Sequence, residues 1–175
     1  MRFEDYSIRL LKESDLESYY NMVQKNRARL EDFFTGTVSR TATFEDTKAF
    51  LSEIADKANK RQYFPYIIIE DSTNAIIGFL DLKNIDWSIP KSEMGLYIDE
   101  DYAGKGISTK AFVLFQEHCF KTYRFKKLFL RTHSKNYAAR KVAEQAGFEI
   151  EGTIRRDYVT TSGELVDLIY YGKLG

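Results

Sequence analysis

The chain has 175 residues, of which 43% are hydrophobic and 30% charged, a composition typical of a globular protein rather than a disordered one. Its 26 basic and 26 acidic side chains balance, which argues against a protein whose main task is to coat nucleic acid or an anionic membrane. One cysteine excludes an internal disulfide, and one cysteine with two histidines leaves too few ligands to predict a metal site.

The N-terminal third predicts a strand followed by helices. The alternation from Ser7 to Leu11 is typical of a short strand. A capping box at Ser14–Glu17 predicts a helix that ends near Gln24, and the residues Thr43–Asp46 predict the start of a second helix. Between these helices, residues 26–43 predict a short helix that runs into a loop.

The rest of the chain predicts strands interrupted by two helices. Two apolar runs around the polar turn Ser72–Asn74 predict a hairpin, and Gly147 is expected to end a helix in the left-handed conformation. The predicted strands cover residues 63–70, 75–84, 91–98, 127–132, 148–157 and 165–173, and the predicted helices cover 108–122 and 136–146. This order predicts the α+β class, a mixed α/β arrangement in which four helices flank both faces of a mixed sheet of about seven strands.

No linker, internal repeat or low-complexity segment interrupts these elements, so we expect residues 1–175 to form a single domain. The first residues lack the apolar run of a signal peptide, and no apolar stretch approaches the ~18 residues that a membrane-spanning helix needs. The sequence therefore predicts a soluble, cytoplasmic protein with neither a membrane nor a nucleic acid as its direct partner.

The segment Tyr102–Thr109, between a predicted strand and a predicted helix, contains two glycines. Gly104 and Gly106 allow successive amides to point the same way, and the start of a helix adds free N–H groups, so the loop could bind a phosphate. A nucleoside-triphosphate loop is excluded because Asp99 stands where its first glycine is required. A glycine-rich turn without a ligand is the alternative.

In this setting the loop resembles the acetyl-CoA loop of the GNAT superfamily of N-acetyltransferases, Gln/Arg-x-x-Gly-x-Gly/Ala. The matching residues are Ala103, Gly104, Lys105, Gly106, Ile107 and Ser108. Residues 136–155 are similar to the Asn-x-x-Ser and Gly-Phe-x-x-Glu-Gly-x-x-Arg stretches of the RimJ/RimL-like branch, which acetylates ribosomal-protein N-termini. The resemblance covers essentially the whole chain, and it implies a central, mostly antiparallel mixed sheet and acetyl-CoA as the cofactor.

The resemblance also implies where the cofactor binds. The pantetheine arm is expected between strand 91–98 and the next strand, with a hydrogen bond from Asn136, and a backbone N–H near Tyr97 to Ile98 is expected to stabilise the oxyanion. Small side chains on the 136–146 helix leave room for the arm, with ordinary close packing of the helix on the sheet as the alternative. The expected cofactor-binding residues are Leu96, Tyr97, Ile98, Ala103, Gly104, Lys105, Gly106, Ile107, Ser108, Thr109, Asn136, Ala139 and Arg140.

Three positions depart from the family pattern and leave few groups for proton transfer. Ala103 replaces the usual Gln or Arg of the loop, and Ala139 stands where the ribosomal branch often has serine. Ala143 stands where another branch has the tyrosine that protonates the leaving thiolate. These departures keep a third interpretation open, a CoA-binding regulatory module without catalysis.

The candidate catalytic residues are Glu93, Tyr97 and His133. Glu93 lies in strand 91–98 on the same face as Gly95 and Tyr97, and it is the best candidate for a base, with a solvated strand carboxylate as the alternative. His133, at the end of strand 127–132, could relay a proton. Cys119 shares an apolar helix face, so we expect a core residue and direct attack by the amine rather than an acyl-enzyme.

We expect the acceptor to be a protein or peptide α-amine. An α-amino group needs only about 1.4 kcal/mol to be neutral at pH 7, against about 4.6 kcal/mol for a lysine. Expected substrate-binding residues are Asn26, Arg27, Phe33 and Phe34, which are similar to the branch's substrate-side helix and aromatic pair, and Trp87 as a cleft wall. The enzymatic alternative is a small amine, such as a polyamine, an amino acid or an aminoglycoside. The expected state is a monomer or homodimer.

Overall fold

The computed structural model of the chain describes residues Met1–Gly175, and its centre is one eight-stranded sheet. The strands, in chain order, are β1 (Arg2–Phe3), β2 (Tyr6–Leu10), β3 (Phe64–Glu70), β4 (Ala75–Asp86), β5 (Lys91–Ile98), β6 (Lys127–His133), β7 (Glu149–Val159) and β8 (Leu165–Leu174). Their order in the sheet is β1-β2-β3-β4-β5-β6-β8-β7. Every neighbouring pair is antiparallel except β5 and β6, which are parallel.

Six α-helices accompany the sheet. They are α1 (Leu16–Lys25), α2 (Arg27–Glu31), α3 (Thr35–Arg40), α4 (Phe44–Asn59), α5 (Ile107–His118) and α6 (Tyr137–Gln145). None of them is long and apolar enough to cross a membrane. The mixed sheet with helices on both faces confirms the predicted fold class.

The two faces of the sheet bury separate hydrophobic cores. One core joins α5 and α6 to the sheet around Phe112, Phe115 and Leu128, and the other joins α1 and α4 to it around Tyr19 and Ile54. Strand β5 contributes to both, because successive side chains of a strand point to opposite faces. Met94 belongs to the α5–α6 core and Tyr97 to the α1–α4 core, as the alternation in the sequence predicts.

The strand and helix counts differ from the prediction for local reasons. The added strand β1 has two residues and pairs with β2, which is too short for a periodicity to indicate. The segment predicted as one short helix and a loop holds both α2 and α3. The predicted helix 108–122 ends at His118 and continues as a π-helical turn over Cys119–Tyr123.

The helix start was predicted correctly at α4, and the capping box was predicted wrongly at α1. Thr43 and Asp46 form a capping box at the start of α4. At α1, Ser14 lies inside a 3-10 turn, and Asp15 makes the local contacts instead. The Asp15 carboxylate accepts hydrogen bonds from the Lys12 amide at 2.8 Å and from the Arg9 guanidinium at 2.7 and 2.8 Å, so Asp15, and not Ser14, binds the residues that precede α1.

Candidate active site

A cleft of about 420 Å³ opens where β5 and β6 separate. The two strands pair only at Lys91–Glu93, opposite Lys127–Phe129, and beyond that point they diverge. The gap passes from one face of the sheet to the other. On the α5–α6 side it is lined by Ser108, Phe112, Asn136, Ala138, Ala139 and Val142, and on the opposite side by Phe33, Phe34, Lys83, Glu93, Tyr97 and Tyr158.

The separation of the strands leaves backbone groups of β5 without a partner strand. The Asp99 amide donates to the Ile77 carbonyl at 2.7 Å and so points toward β4. Successive amides of a strand point to opposite sides, so every second amide of β5 counted back from Asp99 also points toward β4. Tyr97 therefore directs its amide toward β4, whereas the amides of Leu96 and Ile98 point into the cleft. The sequence predicted an amide donor near Tyr97 to Ile98; of these two residues, Ile98 presents its amide to the cleft and Tyr97 presents its side chain.

The loop before α5 presents a row of free amides. No amide from Gly104 to Thr109 donates a hydrogen bond within the chain. Gly104 and Gly106 have φ values of +75° and +80°, and a Cβ at either position would meet no atom within 4 Å. Glycine is therefore required by the backbone conformation and not by crowding. Free amides, the positive end of α5 and the Lys105 ammonium make a site that fits a pyrophosphate.

On the same side of the cleft, α6 presents small side chains. Asn136 caps α6, because its Oδ1 accepts from the Ala139 amide at 3.1 Å, and this leaves its Nδ2 as a donor. Ala139 lines the cleft, whereas Ala143 is fully buried in the core. Arg140, the other predicted cofactor-binding residue on this helix, has its hydrogen-bond partners outside the lining of the cleft. Its guanidinium donates to the Tyr171 hydroxyl at 3.4 Å and to the Ser134 carbonyl at 3.2 Å, and it does not line the cleft.

Not every residue of the predicted loop set touches the cleft itself. Ser108 lines it, but Ile107 is 3% exposed and packs in the α5–α6 core. Thr109 donates its hydroxyl to Gln145 at 3.1 Å. Six residues of the predicted set lie outside the lining of the cleft: Ala103, Gly104, Lys105, Gly106, Ile107 and Thr109. The backbone amides of this loop would therefore contact the cofactor at the outer end of the site, beyond the cleft itself.

The opposite side of the cleft carries a network of charged side chains around Glu93. Glu93 is 4% exposed, and its Oε2 accepts from Asn84 Nδ2 at 2.6 Å and from Arg131 Nε at 3.2 Å. Arg131 also reaches Asp157 Oδ2 at 3.5 Å. The alternative of a solvated strand carboxylate is therefore wrong, because Glu93 is a buried, ion-paired group at the wall of the cleft.

The other two predicted catalytic residues also line the cleft. The Tyr97 hydroxyl lies 2.7 Å from the Tyr19 hydroxyl, and burial raises the pKa of Tyr97 well above its ordinary value. The phenol is therefore a neutral hydrogen-bonding group and not a base. His133 Nδ1 accepts from the Lys135 amide at 3.3 Å, which leaves Nε2 without a bond inside the chain.

The predicted substrate-binding residues divide into two groups. Phe33, Phe34 and Asn26 line the cleft. Asn26 is only 2% exposed, and it also binds the residues that follow β5. Its Nδ2 donates to Asp99 Oδ2 at 3.2 Å, and its Oδ1 accepts from the Glu100 amide at 2.8 Å.

The structure places the other two predicted substrate residues outside the lining of the cleft. Arg27 donates to the carbonyls of Val38 and Thr41, at 3.0 and 3.2 Å, and so connects α2 to the end of α3. Trp87 lies outside the cleft, where its indole stacks on Phe125 with ring centroids 5.2 Å apart.

Sequence analysis missed part of the charged side of the cleft. Lys83, Arg131 and Tyr158 all line it, and Asp81 lies beside it under Gly95. One signal was available: Asp81 and Lys83 alternate with the buried Leu80 and Leu82 in β4, which places both on one face. The glycine at position 95 in mid-strand is a second signal, since such glycines often mark the close approach of another group.

The cleft, the separated strands and the amide-rich loop together fit an acetyltransferase. The sequence matches the acetyltransferase (GNAT) domain family over residues 6–149, and the chain belongs to that family. It is 30% identical to YdaF of Bacillus subtilis, which is named as a ribosomal N-acetyltransferase, over 98% of this chain and 92% of that protein. It is 26% identical to the spermidine N(1)-acetyltransferase of Escherichia coli, over 86% of this chain and 76% of that protein.

A solved structure has the same fold. RimL, a ribosomal α-N-protein acetyltransferase in complex with coenzyme A, matches with a TM-score of 0.90 at 19% identity, covering 98% of this chain and 95% of that chain. Enzymes of the GNAT family use acetyl-CoA, and the amide row and the cleft described above fit that molecule. The protein is therefore an acetyl-CoA-dependent N-acetyltransferase.

Proposed function

We propose that this enzyme acetylates the α-amino group of a protein or peptide N-terminus, with a ribosomal protein as the leading candidate. The observation that carries the proposal is the passage through the sheet between β5 and β6. It gives the donor and the acceptor separate entrances on opposite faces, and it leaves the unpaired β5 amides between them. The likeness to YdaF and RimL supports the choice of acceptor.

The donor side is proposed to act through backbone groups. Acetyl-CoA supplies an acetyl group activated as a thioester. The free amides from Gly104 to Thr109 would bind its pyrophosphate, and Asn136 Nδ2 would donate to its pantetheine arm. The amides of Leu96 and Ile98 point into the cleft, so they are the donors available to negative charge that develops on the acetyl oxygen.

The acceptor side must deliver a neutral amine. About 10% of an α-amine with a pKa near 8 is neutral at pH 7, so a weak base is sufficient. Glu93 is the proposed base because it is a carboxylate at the cleft wall whose Oε1 accepts no hydrogen bond within the chain. The attacking nitrogen would lose its proton to Glu93 directly or through a water molecule.

The departing thiolate needs little assistance. A thiol with a pKa near 8.5 is a fair leaving group at neutral pH, which is consistent with a buried alanine at position 143, where another branch has an acid. His133, with Nε2 free and its ring at the cleft wall, is the proposed proton donor. Cys119 is fully buried, and burial raises the pKa of its thiol, which supports direct attack rather than an acyl-enzyme.

Thiol release from acetyl-CoA tests the proposal. The acceptors are short peptides with free N-termini, the same peptides with blocked N-termini, spermidine and free lysine. Release with the free peptides alone is the expected result, and mass spectrometry should place the acetyl group on the α-nitrogen. Release with blocked peptides that contain lysine would contradict the α-amine assignment.

A small amine is the second candidate acceptor, and the likeness to spermidine N(1)-acetyltransferase favours it. The same panel separates the two candidates. Turnover of spermidine at a low KM, with all peptides inert, would replace the proposed acceptor while leaving the family and cofactor unchanged.

A further inference from the structure

Four residues on neighbouring strands form a compact group on the acceptor side of the cleft. In the antiparallel pairing of β4 and β5, Asp81 lies opposite Gly95 and Lys83 lies opposite Glu93. Residues two apart in a strand share a face, so the two carboxylates and the lysine ammonium project from the same face. Lys83, Glu93 and Gly95 line the cleft.

Asp81 has a carboxylate oxygen without a partner. The residue is 7% exposed, and its Oδ2 accepts from the Tyr63 hydroxyl at 2.7 Å. Its Oδ1 is buried and accepts no hydrogen bond. This oxygen lies against Gly95, where a Cβ would come within 2.2 Å of it. A buried oxygen without a donor is unfavourable, so this position favours a cationic or hydrogen-bond-donating neighbour.

Lys83 is the cation nearest to that oxygen. Its Nζ is 3.9 Å from Asp81 Oδ1 and 3.8 Å from Glu93 Oε1, so it lies between the two carboxylates without a hydrogen bond to either. The charge of Asp81 raises the pKa of Lys83, and the side chain is therefore cationic at neutral pH. With Arg131 on the other side of Glu93, two cations balance two buried carboxylates.

Building on the proposed function, we propose that Lys83 determines acceptor specificity by holding the amine subsite between Asp81 and Glu93 and excluding amines with more than one positive charge. A peptide α-amine is neutral when it attacks, so the Lys83 charge opposes it only weakly. A polyamine keeps further ammonium groups when one nitrogen is neutral, and Lys83 and Arg131 repel them at close range.

The decisive variant is Lys83→Met, which keeps the length of the side chain and removes its charge. The expected result is a spermidine kcat/KM raised at least tenfold relative to that of a free-N-terminal peptide, with most of the gain in the KM for spermidine. Lys83→Arg, which keeps the charge, should behave like the wild type. An unchanged ratio in Lys83→Met would overturn the proposal.

Lys91→Met is a matched control. Lys91 lies in β5, its Nζ is 3.9 Å from Asp86 Oδ2, and its side chain is 37% exposed, against 35% for Lys83, but it does not line the cleft. The Lys91→Met variant loses an ion pair comparable to that of Lys83. Its ratio of kcat/KM for spermidine to kcat/KM for the peptide should therefore stay within twofold of the wild-type ratio. An equal gain in both variants would mean that net charge alone, and not the amine subsite, is responsible.

The double variant Asp81→Asn with Lys83→Met tests the partner carboxylate, and it should lose most of the gain in spermidine affinity. Calorimetric titration of spermidine into CoA-saturated protein gives a readout that does not depend on turnover. If the wild type acetylates no peptide, the proposed function fails, yet tighter spermidine binding by Lys83→Met still supports the role of Lys83. If peptides are acetylated but spermidine binds both proteins equally, only the Lys83 inference fails.

Discussion

The two sides of the cleft recognise their ligands by different means. The donor side offers mainly backbone amides, from the loop before α5 and from the unpaired edge of β5. The acceptor side offers side-chain charges, held by Glu93, Arg131 and Lys83. Backbone recognition tolerates changes of side chain, such as Ala103, provided that the glycines remain. Recognition by charge depends on each side chain, so acceptor specificity can change while the cofactor site is kept.

The largest effect is expected at the loop glycines. Gly104→Val should weaken acetyl-CoA binding more than 100-fold, because a β-branched residue is strained at a φ of +75° and would reorient the amides. The measurement is calorimetric titration with CoA. Gly152→Val is the control, because Gly152 also has open space but no positive φ. Retained affinity in Gly104→Val would show that the amide row is not the pyrophosphate site.

The next largest effect is expected at the acceptor carboxylate. Glu93→Gln should lower kcat about 10- to 100-fold, as loss of a general base commonly does, and the loss should be steeper at low pH, where less of the amine is neutral. The KM for acetyl-CoA should change little, since Glu93 belongs to the acceptor side. Rates that match the wild type from pH 6 to 9 would exclude Glu93 as the base.

A smaller effect on catalysis is expected at Gly95 in β5, the strand that lies between the donor side and the acceptor side of the cleft. Gly95→Ala places a Cβ 2.2 Å from Asp81 Oδ1 and 3.3 Å from Lys83 Nζ, so both groups must move. We expect the KM for the amine to rise about tenfold and stability to fall by about 1–3 kcal/mol, with CoA affinity unchanged. Kinetics with each substrate varied in turn would separate the two sides, and an equal loss on the donor side would contradict the division.

Asp99 connects the end of β5 to the acceptor-side helices, and its substitution should affect stability in a pH-dependent way. Burial alone would raise the pKa of Asp99, but hydrogen bonds from Lys25, the Asp101 amide and Asn26 lower it below its ordinary value. A lowered folded-state pKa stabilises the protein above the unfolded pKa, and this contribution is lost as pH falls. Asp99→Asn should therefore lower the unfolding free energy by about 2 kcal/mol at pH 7, with a smaller difference from the wild type below about pH 4.

Urea titrations of both proteins at several pH values provide that comparison. A difference that stays constant from pH 7 to pH 3 would show that the Asp99 charge is not responsible. The control is Asp101→Asn, which removes the exposed partner of Lys25, at 68% side-chain exposure against 8% for Asp99. It should change stability by less than about 1 kcal/mol.

The smallest effect is expected at Trp87. Because its indole packs on Phe125 and donates to the Arg61 carbonyl at 2.9 Å, away from the cleft, Trp87→Phe should leave kcat and both KM values within twofold of the wild type. A selective rise in the KM for the amine would return Trp87 to the acceptor site.

The sequence predicted the features that arise from local patterns. Alternation predicted the strands and the opposite faces of Met94 and Tyr97, and the two loop glycines predicted the free amides. The start of α4 at Thr43 was predicted for the same reason, since the capping contacts there span only three residues. Ser14 was interpreted wrongly as the cap of α1, because Asp15 makes the contacts with Lys12 and Arg9 instead. Local patterns also did not place Trp87, whose indole packs on Phe125 from another part of the chain.

The sequence by itself thus determined the fold class, the loop that presents amides and the family resemblance, because each depends on neighbouring residues in the chain. Only the tertiary structure decided which side chains meet at the acceptor site. Asp81, Lys83, Glu93 and Arg131 come from three strands, and their charges interact only after β4, β5 and β6 have aligned in one register. Coulomb interactions depend on distance in space, and a linear sequence does not contain that distance.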